Sequence, residues 1–302
     1  MQLYQLEQFR VVAQCEHMTQ AAERLHVSQP ALSQSILRLE KELGVSLFER
    51  RGRQIKLNNL GHEFLLCVEN VLRQLDDGCK LLSDMQNAVD HRIRVSDMGL
   101  PFLTGSILRL YLDNFPDTAI EYVICNEQTM KQMLRAPEVD LVLTTRRPDD
   151  PEYEWMPLGE LRLELFVPRG LPVPDGPLLD LSDCRDFKFI GPDHNSELRH
   201  IFEDLCFSLD FMPRFCYESS DCSLMPDFSQ RYQAILFVLN GIRQPLTLDQ
   251  HPLVLSGALK RYGLQNQYSP PTLGVVTLKG HYLSQSVRSF LAFLQDMFSP
   301  SA

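Results

Sequence analysis

No apolar run in the chain approaches the roughly twenty residues that a bilayer-spanning helix needs. The first ten residues, M-Q-L-Y-Q-L-E-Q-F-R, lack a basic segment followed by an apolar block, so they do not read as a secretory signal. Cys occurs at 15, 67, 79, 125, 184, 206, 216 and 222, with no C-x-x-C pair. That scatter argues against a disulfide framework and a zinc site, and for reduced thiols. A cytoplasmic protein with no membrane contact is the expectation. Catalytic signatures are missing too. There is no G-x-S-x-G and no phosphate-cradling Gly-rich loop, and the eight His stand apart from one another. An enzyme is therefore not expected, and no catalytic residue, cofactor or metal is assigned.

What is present suits two or three globular domains: 302 residues, 44% hydrophobic and 23% charged. The net charge of -10 excludes a protein that is basic throughout, but the charge is uneven. Residues 1–62 carry eight Lys and Arg against six Asp and Glu, whereas the remainder carries 21 against 33. Arg50, Arg51, Arg53 and Lys56 lie within seven positions. A small basic end on an acidic body fits a nucleic-acid module joined to something else.

The spacing of Leu3, Leu6, Phe9, Val12 and Ala13 predicts a first amphipathic helix over 3–15. Thr19 is suited to cap a second, T-Q-A-A-E-R-L, where Ala21 and Ala22 permit close packing. After a tight H-V-S connection, Ser28 precedes Gln29 and Pro30, a good helix start. In this third helix, 28–43, Leu32, Ile36, Leu39 and Leu43 form the buried stripe, and Gly44 ends it. Gln29, Pro30, Ser33, Gln34, Leu37 and Arg38 fall on the outward face. Two short helices, a tight turn and a third helix with a short-armed polar face make a helix-turn-helix. Short side chains let such a helix sit deep in the major groove, where Gln can bond an adenine edge and Ser a phosphate or base. The following L-F-E-R-R-G-R-Q-I-K-L reads as two short strands around R-G-R, a wing. Its Arg50, Arg51 and Arg53 are placed to meet phosphates or the minor groove.

Residues 3–62 resemble the N-terminal domain of the LysR-type transcriptional regulators. The resemblance rests on A-A-E-R-L-H-V-S-Q-P-A-L-S-Q-S-I from Ala21 to Ile36, on L-E-K-E-L-G-V-S-L-F-E-R from Leu39 to Arg50, and on Gly61. Met18 and Asn59 depart from the family pattern away from the reading face. Beyond His62, Phe64, Val68, Val71, Leu75, Cys79 and Leu82 form a near-heptad stripe, which predicts a helix that pairs with another copy. In the family this helix resembles the dimerising linker. The resemblance implies double-stranded promoter DNA as partner, a homodimer through 62–85 with assembly to a homotetramer, and RNA polymerase as a further partner. Dimer and tetramer are not separated by the sequence.

From Arg92 strands alternate with helices, which argues a parallel α/β sheet. L-R-L-E-L-F-V-P opens a second lobe, and T-L-G-V-V-T-L returns to the first. The resemblance implies a two-lobed, periplasmic-binding-protein-like effector domain. The expected architecture is thus α/β with an N-terminal all-α winged helix-turn-helix: a DNA-binding domain over 1–60, a linker helix over 61–90 and an effector-binding domain over 91–302. Within the last, lobe I covers about 91–162 and 270–302, and lobe II about 163–269. The stretch from Cys222 to Gly257 is bulkier and more polar than the glycine-rich passage usual in the family.

Chain position places Asp97, Met98, Leu100, Asn126, Glu127, Thr144, Thr145, Arg146, Asp193 and Asn195 at the cleft. The family often holds a carboxylate effector with Ser or Thr near Leu100 and Glu127, which are apolar and acidic here. Asp97, Glu127 and Asp193 would repel an anion, with Arg146 a partial offset. A cationic or neutral polar effector is one reading, and no effector at all is another. The acids alternatively cap helices or pair with neighbouring arginines. Peroxide-sensing relatives use two Cys near the second-lobe helix; Cys206 matches one position, and Glu197 stands at the other. A solute-binding protein is the alternative of a different class, which the first ninety residues argue against.

Overall fold

The computed structural model describes residues 1–51, 54–85, 92–136, 138–219, 221–266 and 268–299, with the side chains at 50, 51, 54, 83 and 85 left out of account. The chain divides into two compact units, one built on Met1–Leu82 and one on nearly all that follows. No helix among the described residues is long and apolar enough to cross a membrane.

The first unit contains helices α1 (Leu3–Cys15), α2 (Met18–Arg24) and α3 (Gln29–Leu43), strands β1 (Phe48–Arg51) and β2 (Gln54–Leu57), and the long helix α4 (Asn59–Met85). Leu6, Phe9 and Val12 of α1 meet Ala21 and Ala22 of α2 and Leu32, Ile36 and Leu39 of α3 in one buried cluster. Leu3, expected in that stripe, is instead exposed. The cap of α2 also differs from expectation. His17 lies in extended backbone just before the helix, and its Nδ1 accepts the Gln20 amide at 3.4 Å, so Thr19 falls inside the first turn. The connection to α3 is closed by His26 in the left-handed region (φ 53°), while the Val27 amide donates to the Ala22 carbonyl at 3.0 Å. β1 and β2 pair antiparallel, from Phe48 opposite Leu57 to Arg51 opposite Gln54. The Glu40 carboxylate ties this hairpin to α3 by accepting the Leu47 amide at 2.7 Å. At Gly61 a Cβ would stand 2.1 Å from the Leu47 carbonyl oxygen, so α4 crosses the wing there only without a side chain.

The stripe on α4 splits into two parts. Phe64 and Val68 pack on the helical core, joined by Leu72 from outside the stripe, whereas Val71, Leu75 and Leu82 are 47%, 48% and 60% exposed and Cys79 is exposed too. The seam available to a partner therefore starts later than the sequence pattern suggests. Helix α4 runs unbroken through Gly78, where a Cβ would meet open space.

In the second unit the elements in order are β3 (Arg92–Asp97), α5 (Pro101–Asn114), β4 (Ala119–Ile124), α6 (Glu127–Arg135), β5 (Leu141–Thr144), β6 (Tyr153–Glu160), β7 (Arg162–Pro168), β8 (Leu178–Leu179), β9 (Lys188–Gly191), α7 (Glu197–Ser208), β10 (Arg214–Glu218), α8 (Met225–Tyr232), β11 (Ile235–Asn240), α9 (Pro252–Leu255), β12 (Leu259–Leu264), β13 (Thr272–Leu278) and α10 (Gln285–Phe298). One sheet has the order β4-β3-β5-β13-β6 and the other β10-β9-β11-β7-β12-β8. Neither is wholly parallel. β3 runs parallel to β4 and β5, while β13 is antiparallel to β5 and β6. In the second lobe β11 is parallel to β9 and antiparallel to β7. The chain crosses between lobes at Leu161, and again between β12 and β13. Each return strand enters beside strands laid down earlier, which mixes the directions. The atypical stretch after Cys222 supplies α8 and β11. All six residues of β11 are buried, because an internal strand covered on both faces needs a continuous apolar run such as I-L-F-V-L.

Candidate functional site

In the first unit the outward face of α3 is open. Gln29, Pro30, Gln34, Leu37 and Arg38 are exposed and Ser33 is half-buried, while Leu32 and Leu39 on the opposite side are fully buried. Leu37 keeps 55% of its surface exposed, which core packing does not explain. Gln34 and Arg38 also border a shallow pocket of about 340 Å³ beside Met1, Gln2 and Tyr4. Ser28 and Val27 are exposed at the start of the same helix and were missed by the sequence pattern. Arg50 and Arg51 lie on β1; Arg53 falls outside the described residues.

In the second unit a cavity of about 280 Å³ opens between the lobes. From lobe I it is lined by Met98, Gly99, Pro101, Ile124, Cys125, Asn126 and Thr129, and from lobe II by Pro192, Asp193, Asn195, Ser196 and Cys222. Four of the ten expected residues are thus brought together: Met98, Asn126, Asp193 and Asn195. Cys125, Thr129 and Cys222 lacked any signal in the sequence, since nothing local marks which loops will meet.

The other six stand differently. Leu100 points away from the cleft into the apolar core at 2% exposure, because it follows a sharp turn at Gly99 (φ 87°). That turn needs glycine: a Cβ there would meet Ser196 Oγ at 2.5 Å. Asp97 is fully buried beneath the cavity. Its Oδ1 accepts the amides of Gly99 and Leu100 at 2.8 and 2.9 Å, and its Oδ2 accepts the Tyr122 hydroxyl at 2.6 Å. Burial, then the Asp97 charge and hydrogen bond, push the Tyr122 phenol above its ordinary range, so it remains a donor. Glu127 sits in the first turn of α6, 3.7 Å from Lys131, in a separate depression of about 450 Å³ that it shares with Arg146.

Thr144, Thr145 and Arg146 gather round Glu197 of lobe II. Thr144 Oγ1 donates to Glu197 Oε1 at 2.6 Å, while the Thr145 amide and hydroxyl each donate to Oε2 at 2.8 Å. The Arg146 amide donates to Thr144 Oγ1 at 3.0 Å, which orients that hydroxyl proton toward the carboxylate. Arg146 Nε lies 4.0 Å from Glu197 Oε1. Burial pushes the Glu197 carboxyl up, and these donors and Arg146 pull it back. Two further contacts close the same seam: Ser196 Oγ donates to the Gly99 carbonyl at 3.1 Å, and the Glu197 amide to the Met98 carbonyl at 3.3 Å.

The thiols do not make a reactive pair. Burial pushes Cys206 up to about 12, with lesser contributions from Cys184 and Glu203, and it lies in the lobe II core. A fully protonated, enclosed thiol is a poor nucleophile.

Comparison with known proteins agrees with this division. Residues 3–62 match the family described as bacterial regulatory helix-turn-helix protein, lysR family. Residues 91–299 match the LysR substrate binding domain. An uncharacterised HTH-type transcriptional regulator of Bacillus subtilis, YybE, is 27% identical over 99% of this chain and 100% of its own. The RuBisCO operon transcriptional regulator of Allochromatium vinosum is 28% identical over 67% of each chain. Among solved structures, a full-length OxyR variant from Pseudomonas aeruginosa superposes with a TM-score of 0.68 at 20% identity, over 99% of this chain and 94% of that one. The LysR family regulator CbnR gives 0.64 at 20% identity, over 99% and 100%. With two family matches that together span nearly its whole length, the chain belongs to the LysR family of transcriptional regulators, which are not enzymes.

Proposed function

We propose that the protein reads double-stranded promoter DNA in the cytoplasm as a homodimer, and that a small molecule in the interlobe cleft modulates the reading. The working division is 1–60 for DNA, 61–90 for pairing and 91–302 for sensing. The observation that carries this is the two-sidedness of α3, with Leu32, Ile36 and Leu39 buried and Gln29, Pro30, Gln34, Leu37 and Arg38 turned to solvent. An isolated helical domain gains nothing from that outward set, whereas a helix entering the major groove uses it to meet base edges. Arg50 and Arg51 of β1, and Arg53 by its place in the sequence, are assigned to the flanking phosphates.

Pairing is assigned to Val71, Leu75 and Leu82 of α4, an apolar line off the core of the first unit. A second uncovered surface supports a tetramer built from such dimers. β4 is an edge strand, and its Tyr122, Val123 and Ile124 are 39%, 42% and 41% exposed. Two self-associating surfaces on one chain generate assemblies larger than a dimer. Two reading helices related by a two-fold axis select a two-fold site, and a ligand that favours one lobe geometry shifts their relative placement.

Titration of the purified protein with duplex DNA from upstream of its own gene tests the reading. Affinity is expected to fall steeply with salt, as phosphate contacts release counterions, and to exceed that for shuffled DNA of equal length. Equal binding to both duplexes at every salt concentration would contradict specific reading.

A further inference from the structure

The interlobe cleft is bordered by three helix N-termini. Gly99 and Pro101 lead into α5, Asn126 into α6, and Asn195 and Ser196 into α7. A helix N-terminus carries the equivalent of roughly half a positive charge and ordinarily draws an anion. Here each end has a carboxylate of the chain in or just before its first turn. Asp97 accepts the amides of Gly99 and Leu100 at α5. Glu127 stands in the first turn of α6, and Glu197 in the first turn of α7. Glu197 also takes the donors of Thr144 and Thr145 that a free anion would need.

A fourth carboxylate faces the cavity without such an engagement. Asp193 Oδ1 accepts the Asn195 amide at 2.9 Å, and its Oδ2 has no hydrogen-bond or ion-pair partner among the described residues. The residues lining the cavity include no Lys, Arg or His. Arg199 lies behind Pro192, whose carbonyl it contacts at 3.3 Å, but Glu203 at 2.6 Å and Glu218 at 3.0 Å hold it. The lining thiols report the same field. Cys222 is pushed up to about 12, first by burial and then by Asp97, Asp221 and Asp193. Cys125 is pushed up to about 11 by burial, with Asp97 and Glu197 adding to it. Both remain neutral, so Met98, Pro101, Ile124, Pro192 and the two thiols form an uncharged wall beside the one carboxylate in the lining, Asp193.

We propose that the interlobe cavity takes a small organic cation, a protonated amine on a short hydrocarbon body, with Asp193 as its counter-ion, because Glu197 already takes the Thr144 and Thr145 donors that an anion would use. This rests on the reading of the second unit as the sensing domain. The volume of about 280 Å³ lies just below the roughly 300 Å³ at which pockets for drug-sized ligands begin, which suits a ligand of few heavy atoms.

The test uses the full-length protein and three probes with one four-carbon body: butylamine, butyrate and butanol, compared by calorimetric titration at constant ionic strength. Butylamine is expected to bind, and butyrate and butanol to bind at least about tenfold more weakly, the ratio expected for one engaged charge. Asp193→Asn keeps the shape and should weaken butylamine by a similar factor. Glu197→Ala empties the Thr144–Thr145 donors and should gain a rise in melting temperature with acetate or propionate that the parent lacks. If Glu197→Ala does not fold, Asp193→Asn decides alone. Tighter binding of butyrate than butylamine, no response to any probe, or an unchanged butylamine affinity in Asp193→Asn would overturn the proposal. Salt-dependent binding to promoter duplex, measured on the same preparations, separates the two levels. DNA binding without an amine response removes this inference only, and loss of specific DNA binding removes the reading beneath it.

Discussion

The two units place their functional surfaces in opposite ways. The candidate DNA-reading face comes from one helix, so Gln29, Pro30, Ser33, Gln34, Leu37 and Arg38 are neighbours in sequence and in space. The interlobe cavity comes from four separate segments, around Gly99, Cys125, Asp193 and Cys222, and no single segment carries it. A helix defines a face by its period alone. A cleft exists only once two sheets have formed and docked. The first unit should therefore lose its function through damage to a small core, and the second through contacts that bridge lobes.

The largest effect is expected from Phe9→Ala. Phe9 is fully buried, and its ring lies 5.5 Å from Phe48 and 5.2 Å from Phe64, so it joins α1, the wing and α4. Its removal should cost the first unit about 3–5 kcal/mol and abolish DNA binding. Calorimetry should show the transition of the second unit unmoved; a matching loss there would mean that the units do not unfold separately.

Next comes the seam on α4. Val71→Glu with Leu75→Glu should convert dimers to monomers on a sizing column and weaken two-fold DNA sites by about a hundredfold or more, the loss expected when two linked contacts become one. A half-site should be bound as before. An unchanged oligomer would place the pairing surface elsewhere.

Gln29→Ala is smaller and more selective. It should cost about 1–3 kcal/mol at one or two base pairs and little at other positions. Arg53→Ala should instead weaken all duplexes alike and lower the salt dependence. A binding-site selection with each variant would separate the two patterns, and identical profiles would dissolve the distinction between reading and anchoring residues.

The smallest effect concerns Glu197. Burial raises its pKa above the ordinary 4.5, so the folded protein keeps this proton to higher pH than the unfolded chain does. Its share of stability is complete below the ordinary value and declines as pH rises through the elevated one. Glu197→Gln should flatten that part of the pH–stability curve in denaturant titrations. A slope as steep as the parent's would assign it to other groups.

Those predictions also mark what could be read in advance. The three-helix core, the tight turn and the outward set on α3 were legible because Leu32, Ile36 and Leu39 repeat at helical spacing. The His17 cap was not, since Thr19 is the better capping residue by type and only the extended backbone at His17 decides the matter. The α4 stripe was legible as apolar, but its division at Val71 depends on where the helical core ends. In the second unit the strands were visible, whereas their mixed directions follow from the return of β13, far along the chain. Position along strands found Met98, Asn126, Asp193 and Asn195, yet it put Leu100 in the cleft when the turn at Gly99 sends it inward. In the sequence Glu197 stands out only as the residue at a position where peroxide-sensing relatives carry Cys. Its three donors come from residues more than fifty positions earlier, beyond the reach of any local pattern.

Reading of a two-fold promoter site by α3 is open to direct observation. Hydroxyl-radical footprinting of the full-length protein on DNA upstream of its own gene tests it most directly. Two protected patches related by two-fold symmetry are expected, one or more helical turns apart, lost with Val71→Glu and Leu75→Glu and altered at single positions with Gln29→Ala. Protection that is uniform along the duplex, or unchanged by Gln29→Ala, would contradict it.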